Sequence, residues 1–429
     1  MALSNGFRVM PVSGLARLAG KGAAGSMGLR IGIVGVNFLV MLGLAAWLGL
    51  EAFGRLAALW GTGLVVGTLV SVGGPVILLR VLTDGRGLRR ADIFRVAVLY
   101  PAMLALVAWG FGALIWPALP WLAIMSVGFC VNLLGCLASI MRALGSVHLS
   151  MALRDAGPQV ALGVAGLVLP EAGVAGILLL CALVMAGFAT VGVLWAIPRM
   201  QGAQVLARRY RPYLSLSLWA TSVTGMVVAQ IDLIVGGAVI SGEALGVYAV
   251  LRRVANLVAL PVSVATWVSG PAVSAAKGAG DMAALARASA QGSQIAAWPG
   301  LALFGMAVLA LPVLPYLFAQ TVGAAPGLVL VVLLLGALGQ VVLASSFTVA
   351  TLCGLQRCAL AARLLMTGLY LAWFAWWGAE LTALTNALGY VGALSLGGFA
   401  LWWAVWRKLG IDTSATVLWR GKEGQWRTS

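Results

Sequence analysis

The sequence predicts an all-α integral membrane protein of about 12 transmembrane helices, arranged as two six-helix bundles around a central cavity. Three observations support this prediction: the composition, the alternation of charge between loops, and an internal repeat. Hydrophobic residues make up 62% of the chain and charged residues 9%, with a mean hydropathy of +1.04. A soluble globular domain is far less apolar. The apolar runs also have the length of membrane helices, about 20 residues for a hydrocarbon core of ~30 Å, and not that of barrel strands.

Twelve apolar runs can be assigned along the chain, and the fifth is short for a membrane span. They fall into two groups of six, which predicts a first bundle over 28–197 and a second over 213–406. The runs cover residues 28–50, 55–80, 94–115, 118–141, 155–170, 173–197, 213–239, 246–270, 294–318, 325–350, 358–378 and 383–406.

Charges alternate between successive loops in the way that the positive-inside rule describes. The N-terminal arm, every second loop and the C-terminal tail hold 24 of the 27 basic residues, whereas the other loops hold four glutamates and Arg55. This pattern predicts an even number of spans with both termini in the cytoplasm. It therefore predicts a basic cytoplasmic arm at 1–27, a basic linker at 198–212 and a basic tail at 407–429. The glutamates of the predicted external loops are Glu51, Glu171, Glu243 and Glu380.

The two halves of the chain share short sequence features at matching places. The second span opens with Leu50-Glu51-Ala52-Phe53-Gly54 and the eighth with Gly242-Glu243-Ala244-Leu245-Gly246. Six spans separate these features, so the repeats have the same orientation and are expected to be related by a twofold axis along the membrane normal. Further matches are Gly74-Pro75 with Gly270-Pro271, and Gly145 and Arg154 with Gly354 and Arg363 at the same spacing of nine residues.

Asp232, Arg252 and Arg253 are the charges that lie well inside an apolar run. Asp232 and Arg252 are each ten residues from Gly242, which puts both about 15 Å from the same surface. At matched depth an acid and a base can pair, and pairing lowers the cost of burial. Two interpretations follow: a structural ion pair between two helices, or a wet positive cavity for an anionic substrate.

Polar side chains accompany these charges on both helices. Arg252 heads a stripe that spans about 80° of its helix, so we predict that Arg252 contacts substrate. Arg253 lies about 100° away and is then expected to pair with Asp232. Pro261 interrupts this second helix and is expected to kink it. The stripe comprises Arg252, Asn256, Ser263 and Thr266, and Thr224 belongs to a stripe on the preceding helix with Ser217, Thr221 and Asp232.

The sequence offers no recognisable catalytic, metal or cofactor site. It contains one histidine and no phosphate-binding loop motif, and its five cysteines lack the spacing of metal ligands. The net charge of +16 follows the membrane topology, which argues against a nucleic-acid partner.

The chain resembles the polysaccharide transporters, or O-antigen-type flippases, of the multidrug/oligosaccharidyl-lipid/polysaccharide exporter superfamily. The resemblance covers residues 13 to 406 and rests on degenerate signatures. These are Gly14-Leu15-Ala16-Arg17, the segment Leu48 to Gly54, Asp232, the segment Gly246 to Ala255, Pro271 with Gly280-Asp281, and Gly354-Leu355-Gln356.

The resemblance implies a protein of the bacterial cytoplasmic membrane that moves an undecaprenyl-diphosphate-linked oligosaccharide to the outer leaflet. Its partners would be this substrate, membrane lipids and, in some systems, a polysaccharide polymerase or export protein. Arginine suits such a cargo because its planar fork binds two phosphate oxygens. Besides Arg252 and Arg253, candidate contacts are Arg80 and Arg30 near the cytoplasmic mouth and Asn37 in the first span. For Arg80 and Arg30, ordinary snorkelling of basic residues is the other interpretation.

Two alternative functions remain open at this point. A multidrug antiporter would share the architecture, but exporters of cationic drugs need membrane-embedded carboxylates and the first half has none. A membrane glycosyltransferase or polymerase needs acidic metal-binding pairs or a large catalytic loop outside the membrane. We therefore expect a transporter and not an enzyme.

Overall fold

The computed structural model describes residues 12–83, 90–202, 216–313 and 326–415. Within these ranges the chain consists of helices joined by short turns, with no β-strand. The all-α prediction is therefore confirmed. The linker predicted at 198–212 and the tail predicted at 407–429 lie mostly outside the described residues.

Nine α-helices are described in the first half, and several of them form parts of one span. A π-helical turn, Arg95–Leu99, joins α4 (Arg90–Phe94) to α5 (Tyr100–Ile115), and a second, Ala152–Ala156, joins α7 (Val147–Met151) to α8 (Gly157–Val168). α1 begins inside the segment predicted as a cytoplasmic arm. The helices are α1 (Val12–Leu48), α2 (Leu50–Val70), α3 (Gly74–Thr83), α4 (Arg90–Phe94), α5 (Tyr100–Ile115), α6 (Trp121–Ala143), α7 (Val147–Met151), α8 (Gly157–Val168) and α9 (Gly173–Gly202).

Seven helices are described in the second half. Gly280, with φ +70°, ends α11, and the side chain of Asp281 accepts a hydrogen bond from the backbone N–H of Ala284 to cap α12. The helices are α10 (Leu216–Val239), α11 (Gly242–Ala279), α12 (Met282–Leu309), α13 (Pro326–Val342), α14 (Ala344–Leu352), α15 (Gln356–Trp377) and α16 (Ala383–Leu409).

The described residues contain ten helices that are long and apolar enough to cross a membrane, or eleven if α13 and α14 form one bent span. The protein is thus a multi-pass membrane protein. The difference from twelve lies in the fifth predicted run, 155–170. There α8 has 12 residues, and the helical path that precedes it carries the polar residues Arg154 and Asp155, which lower its apolarity.

Two predicted spans are broken. The second, 55–80, turns at Ser71–Gly73, where Val72 and Gly73 have positive φ angles, and Gly74-Pro75 then opens α3. Proline suits the first turn of a helix because no partner is needed there for its missing N–H. The tenth, 325–350, bends by 45° between α13 and α14. By contrast, α11 runs unbroken through Pro261 and Gly270-Pro271.

The two halves repeat the same order of helix neighbours. In the first half, α2 packs on α6, α6 on α9, α9 on α8 and α8 on α1. In the second half, α11 packs on α13, α13 on α16, α16 on α15 and α15 on α10. The turn glycines Gly145 and Gly354 also match, with φ angles of +86° and +85°. The fold is therefore two helical bundles built from one repeated unit.

The repeated motifs touch each other where the bundles meet, at the predicted external ends of α2 and α11. A Cβ added at Gly54 would lie 2.3 Å from the carbonyl oxygen of Gly242, and one added at Gly246 would lie 2.0 Å from that of Leu50. In the repeat, Gly54 is equivalent to Gly246 and Leu50 to Gly242. The contact is thus reciprocal, as at an interface with twofold symmetry. Because both helices begin at this end, the axis runs along the membrane normal.

Candidate functional site

Asp232 forms an ion pair with Arg252 inside the second bundle. Oδ2 of Asp232 lies 2.7 Å from Nε of Arg252, and both residues are buried. This corrects the prediction that Arg253 is the arginine that pairs with Asp232. The prediction that Arg252 contacts substrate stays a prediction. Tyr248 and Arg252 are one turn apart on the face of α11 that meets Asp232, whereas Arg253 lies about 100° round the helix. Arg253 is half-buried, and no carboxylate of the described chain lies within ion-pair distance of it.

Tyrosines and an asparagine complete this polar cluster. The hydroxyl of Tyr248 donates to Oδ2 of Asp232 at 2.6 Å, and Nη2 of Arg252 donates to the hydroxyl of Tyr390 at 3.0 Å. Asn386 donates to the backbone carbonyl of Asp232 at 3.2 Å. The cluster therefore ties α10, α11 and α16 together, which favours the structural interpretation of the ion pair.

A cavity of about 270 Å³ lies within the second bundle, next to this cluster. Its walls come from α10, α11 and α13 to α16, and they include the bend between α13 and α14. Most of the lining is apolar, with polar side chains at a few points. These are Thr266, Gln340, Ser346, Arg363, Tyr390 and Ser395.

Of the described residues that line the cavity, Arg363 is the one that carries a charge. Its guanidinium donates to the backbone carbonyl of Thr221 and stacks 5.0 Å from the ring centroid of Phe347. Gly225 allows this position, because an added Cβ would lie 2.7 Å from Nη1 of Arg363. Among the described residues, Arg363 has no carboxylate within ion-pair distance, in contrast to Arg252.

A separate polar contact joins the two bundles, on the predicted cytoplasmic side of the ion pair. Nε of Arg30 donates to the hydroxyl of Ser263 at 3.2 Å. Trp267, one turn further along α11, has the guanidinium carbons of Arg30 and Arg142 at 5.3 and 4.4 Å from its ring centroid. The stripe predicted along α11 is therefore divided: Arg252 is in the cluster, Ser263 is at this contact, and Thr266 lines the cavity.

The other predicted residues do not join a common site. Asn37 donates to the backbone carbonyl of Asp155 at 3.1 Å, within the first bundle. Thr224 donates to carbonyls of its own helix, and Asn256 is exposed with no hydrogen bond to the described residues. The side chain of Arg80 lies outside the described residues.

Sequence reasoning missed Tyr248, Tyr390, Asn386 and the role of Arg363. For the first three a signal was present, because Tyr248 precedes Arg252 by one turn and Asn386 precedes Tyr390 by one turn in apolar helices. The repeat identified Arg363, but its place near a basic loop suggested nothing beyond membrane topology.

Comparisons with known proteins support the fold. No protein-family model and no curated protein matches the sequence. Among solved structures, the chain is similar to an outward-facing and an inward-facing multidrug resistance MATE family transporter of the MOP superfamily. Both are 14% identical to it; the TM-scores are 0.59 and 0.60, with 94% and 92% of this chain and 97% and 99% of those chains covered.

A third similar structure is a MOP superfamily transporter from Pyrococcus furiosus Vc1 (DSM3638). It is 15% identical, with a TM-score of 0.61 over 90% of this chain and 94% of that chain. It is described as having a binding pocket of reverse polarity that suggests a different function. At these identities the likeness concerns the fold.

Proposed function

We propose that this protein is a membrane transporter that moves amphipathic small molecules by alternating access between its two bundles. The observation that carries the proposal is the cavity of about 270 Å³ inside the second bundle, walled by six helices and mostly apolar. Drug-sized ligands occupy pockets of roughly 300 Å³ upward that are lined by apolar groups with a few polar ones. The similarity to multidrug MATE transporters supports the same proposal.

Alternating access requires contacts between the bundles that open and close. The protein has such contacts at two depths: the glycine contact of α2 with α11, and the contact of Arg30 and Arg142 with Trp267. Neither involves an ion pair, so each can separate without leaving a buried charge unpaired. We call the interface of α2 with α10 and α11 the seam, and the bundles are expected to move relative to each other along it.

The flippase suggested by sequence resemblance is the second candidate function, with a lipid-linked oligosaccharide as cargo. The observation that favours it is the excess of arginine inside the second bundle. Arg252, Arg253 and Arg363 lie there, and Asp232 is the carboxylate among the described residues of this bundle that is not at a helix end. A diphosphate would match this charge. An oligosaccharide head, however, needs more room than the cavity of about 270 Å³ provides.

One pair of experiments distinguishes the two cargoes. The protein is expressed in bacteria that lack their own multidrug exporters, and growth is measured against a panel of neutral, cationic and anionic amphipathic compounds. We expect increased tolerance to part of the panel and reduced accumulation of those compounds in the cells. Unchanged tolerance throughout, together with inner-leaflet build-up of lipid-linked oligosaccharide after gene deletion in the native host, would favour the flippase instead.

A further inference from the structure

The cavity of the second bundle contains a positive charge that no acidic group of the described residues balances. Arg363 lies on its wall, seven residues into α15, and among the described residues its partners are the carbonyl of Thr221 and the ring of Phe347. The residue is half-buried, and a carbonyl and an aromatic ring offset only part of the cost of withdrawing its charge from water. An anionic group in the cavity would complete this environment.

A second arginine, Arg252, contacts residues of the cavity lining but adds no unbalanced charge to it. Arg252 donates to the carbonyl of Ala229 at 2.5 Å and to the hydroxyl of Tyr390 at 3.0 Å, and both of these acceptors belong to residues of the cavity lining. The charge of Arg252 is balanced by Asp232, whereas that of Arg363 is not. Among the described residues, the unbalanced charge of the cavity lining is therefore that of Arg363.

The apolar part of the cavity lining indicates the chemical character of the rest of the ligand. Val228, Val262, Met366 and Leu394 lie on the walls, so the body of the ligand is expected to be apolar. The hydroxyl of Ser395 and the amide of Gln340 also lie on the walls and can hydrogen-bond to a ligand, whereas the hydroxyl of Thr266 already bonds to Val262 and Thr348. The described part of the lining contains no carboxylate side chain, which disfavours a cation.

We infer that this cavity binds an organic anion, a phosphate, sulfonate or carboxylate carried on an apolar body, with Arg363 as its anion-binding residue. The inference deepens the proposed transport function by giving the class of cargo, but the site can bind without transport. A planar guanidinium held by a carbonyl on one side and an aromatic ring on another presents its remaining N–H groups in a fixed direction. This arrangement suits an oxyanion.

The test is direct binding of 1-naphthyl phosphate and of neutral 1-naphthol to the purified full-length protein, by equilibrium dialysis in detergent. The two compounds share the apolar ring and differ in charge. We expect Arg363→Gln to weaken phosphate binding by about 10- to 100-fold, because a charge-assisted contact is lost. Binding of 1-naphthol should change less than about twofold, and Arg363→Lys should retain part of the preference for phosphate.

Arg154→Gln is the matched control. Arg154 occupies the repeat-equivalent position nine residues after Gly145, but its side chain is 67% exposed and lies 3.8 Å from Asp155. The Arg154→Gln variant should bind both compounds with the same affinity as the wild type. Gly225→Ala adds an independent variant, since its methyl group displaces the Arg363 guanidinium without removing the charge. This variant should also weaken phosphate binding.

Two results would overturn the inference: equal affinity of the wild type for both compounds, or unchanged phosphate binding by folded Arg363→Gln protein. Folding is checked by size-exclusion profile and thermal unfolding. Because binding is measured without a membrane gradient, phosphate selectivity in a protein that fails to transport would refute the transport proposal alone. Displacement of 1-naphthyl phosphate by phosphatidic acid would identify a lipid phosphate as the occupant, and its absence a soluble organic anion.

Discussion

Asp232 on α10 and Arg252 on α11 form a buried ion pair whose atoms Oδ2 and Nε are 2.7 Å apart. Tyr248 adds a hydrogen bond to the same carboxylate oxygen, and Tyr390 accepts one from the arginine. Each charge is thus compensated within the bundle and is withdrawn from direct contact with the cavity. With Tyr390, the pair holds three helices in register, and among the described residues it leaves Arg363 as the cation of the cavity lining without a counter-ion.

Breaking this pair should destabilise the protein. Asp232→Asn leaves Arg252 buried without a counter-ion, and Arg252→Ala does the same to Asp232, each at a cost of ~3–5 kcal/mol. We expect both variants to show a lower amount of folded protein in the membrane and a lower unfolding temperature in detergent. Quantified size-exclusion profiles of fluorescent fusions measure both effects.

Arg253→Ala is the neighbouring control, because Arg253 is half-buried and outside the cluster. It should retain much more folded protein than Arg252→Ala. Loss of protein in Arg253→Ala alone would contradict the pairing described here. An Asp232→Asn variant of normal abundance that has lost transport would instead give the carboxylate a part in energy coupling.

The depth of the ion pair could be predicted from the sequence, but which arginine pairs with Asp232 could not. Counting residues from Gly242 places Asp232 and both arginines at similar depth, and this count carries no information on which face of α11 meets α10. The polar stripe favoured the wrong arginine because serine and threonine in membrane helices often bond to their own helix, as Ser263 does to the carbonyl of Leu260. Tyr248 indicated the correct face of α11, because it lies one turn before Arg252 and contacts Asp232.

The repeat was predictable because these helix contacts leave no room for a side chain, so that glycine is required in both halves. Gly54 and Gly246 occupy equivalent positions, one in each half, because each meets the backbone of the other bundle. Hydropathy averaged over a span did not locate the breaks near Gly73 and Leu343, because the apolar run continues on both sides of each break. The cavity depends on how six helices pack, which a linear sequence does not specify.

The glycine contact gives a second prediction. Gly54→Ala and Gly246→Ala place a methyl group 2.3 and 2.0 Å from backbone carbonyl oxygens, which cannot rotate away as side chains can. The cost should exceed the ~1–3 kcal/mol typical of overpacking, so little folded protein is expected in detergent. Gly28→Ala, whose added Cβ meets nothing within 4 Å, is the control and should be near neutral. Normal stability of Gly246→Ala would show that the bundles do not meet as described.

Topology gives a third prediction. A cysteine at Glu380 should be labelled by a membrane-impermeant maleimide in intact cells, because this exposed residue is predicted to lie outside. A cysteine at Arg208, in the predicted cytoplasmic linker and outside the described residues, should be labelled only after the cells are opened. Efficient labelling of position 208 from outside would reverse the predicted orientation.

The last prediction tests whether the two bundles move apart during transport. In α2 and α10, the Cβ of Ala58 and a Cβ added at Gly237 would be 2.4 Å apart, so cysteines there lie close enough to form a disulfide after a shift of about 1 Å. In a background without the native cysteines, oxidation of Ala58→Cys/Gly237→Cys should lock the seam and stop transport. Reduction should restore it.

The matched control is a disulfide within one bundle. Val40 Cβ and a Cβ added at Gly163 are 3.8 Å apart, the mean separation in disulfides, and both positions belong to the first bundle. Oxidised Val40→Cys/Gly163→Cys should transport at the rate of its reduced form, because the bundles move as units. Continued transport by the oxidised, fully cross-linked seam pair would mean that the cargo crosses without separation of α2 from α10, and alternating access along this seam would have to be abandoned.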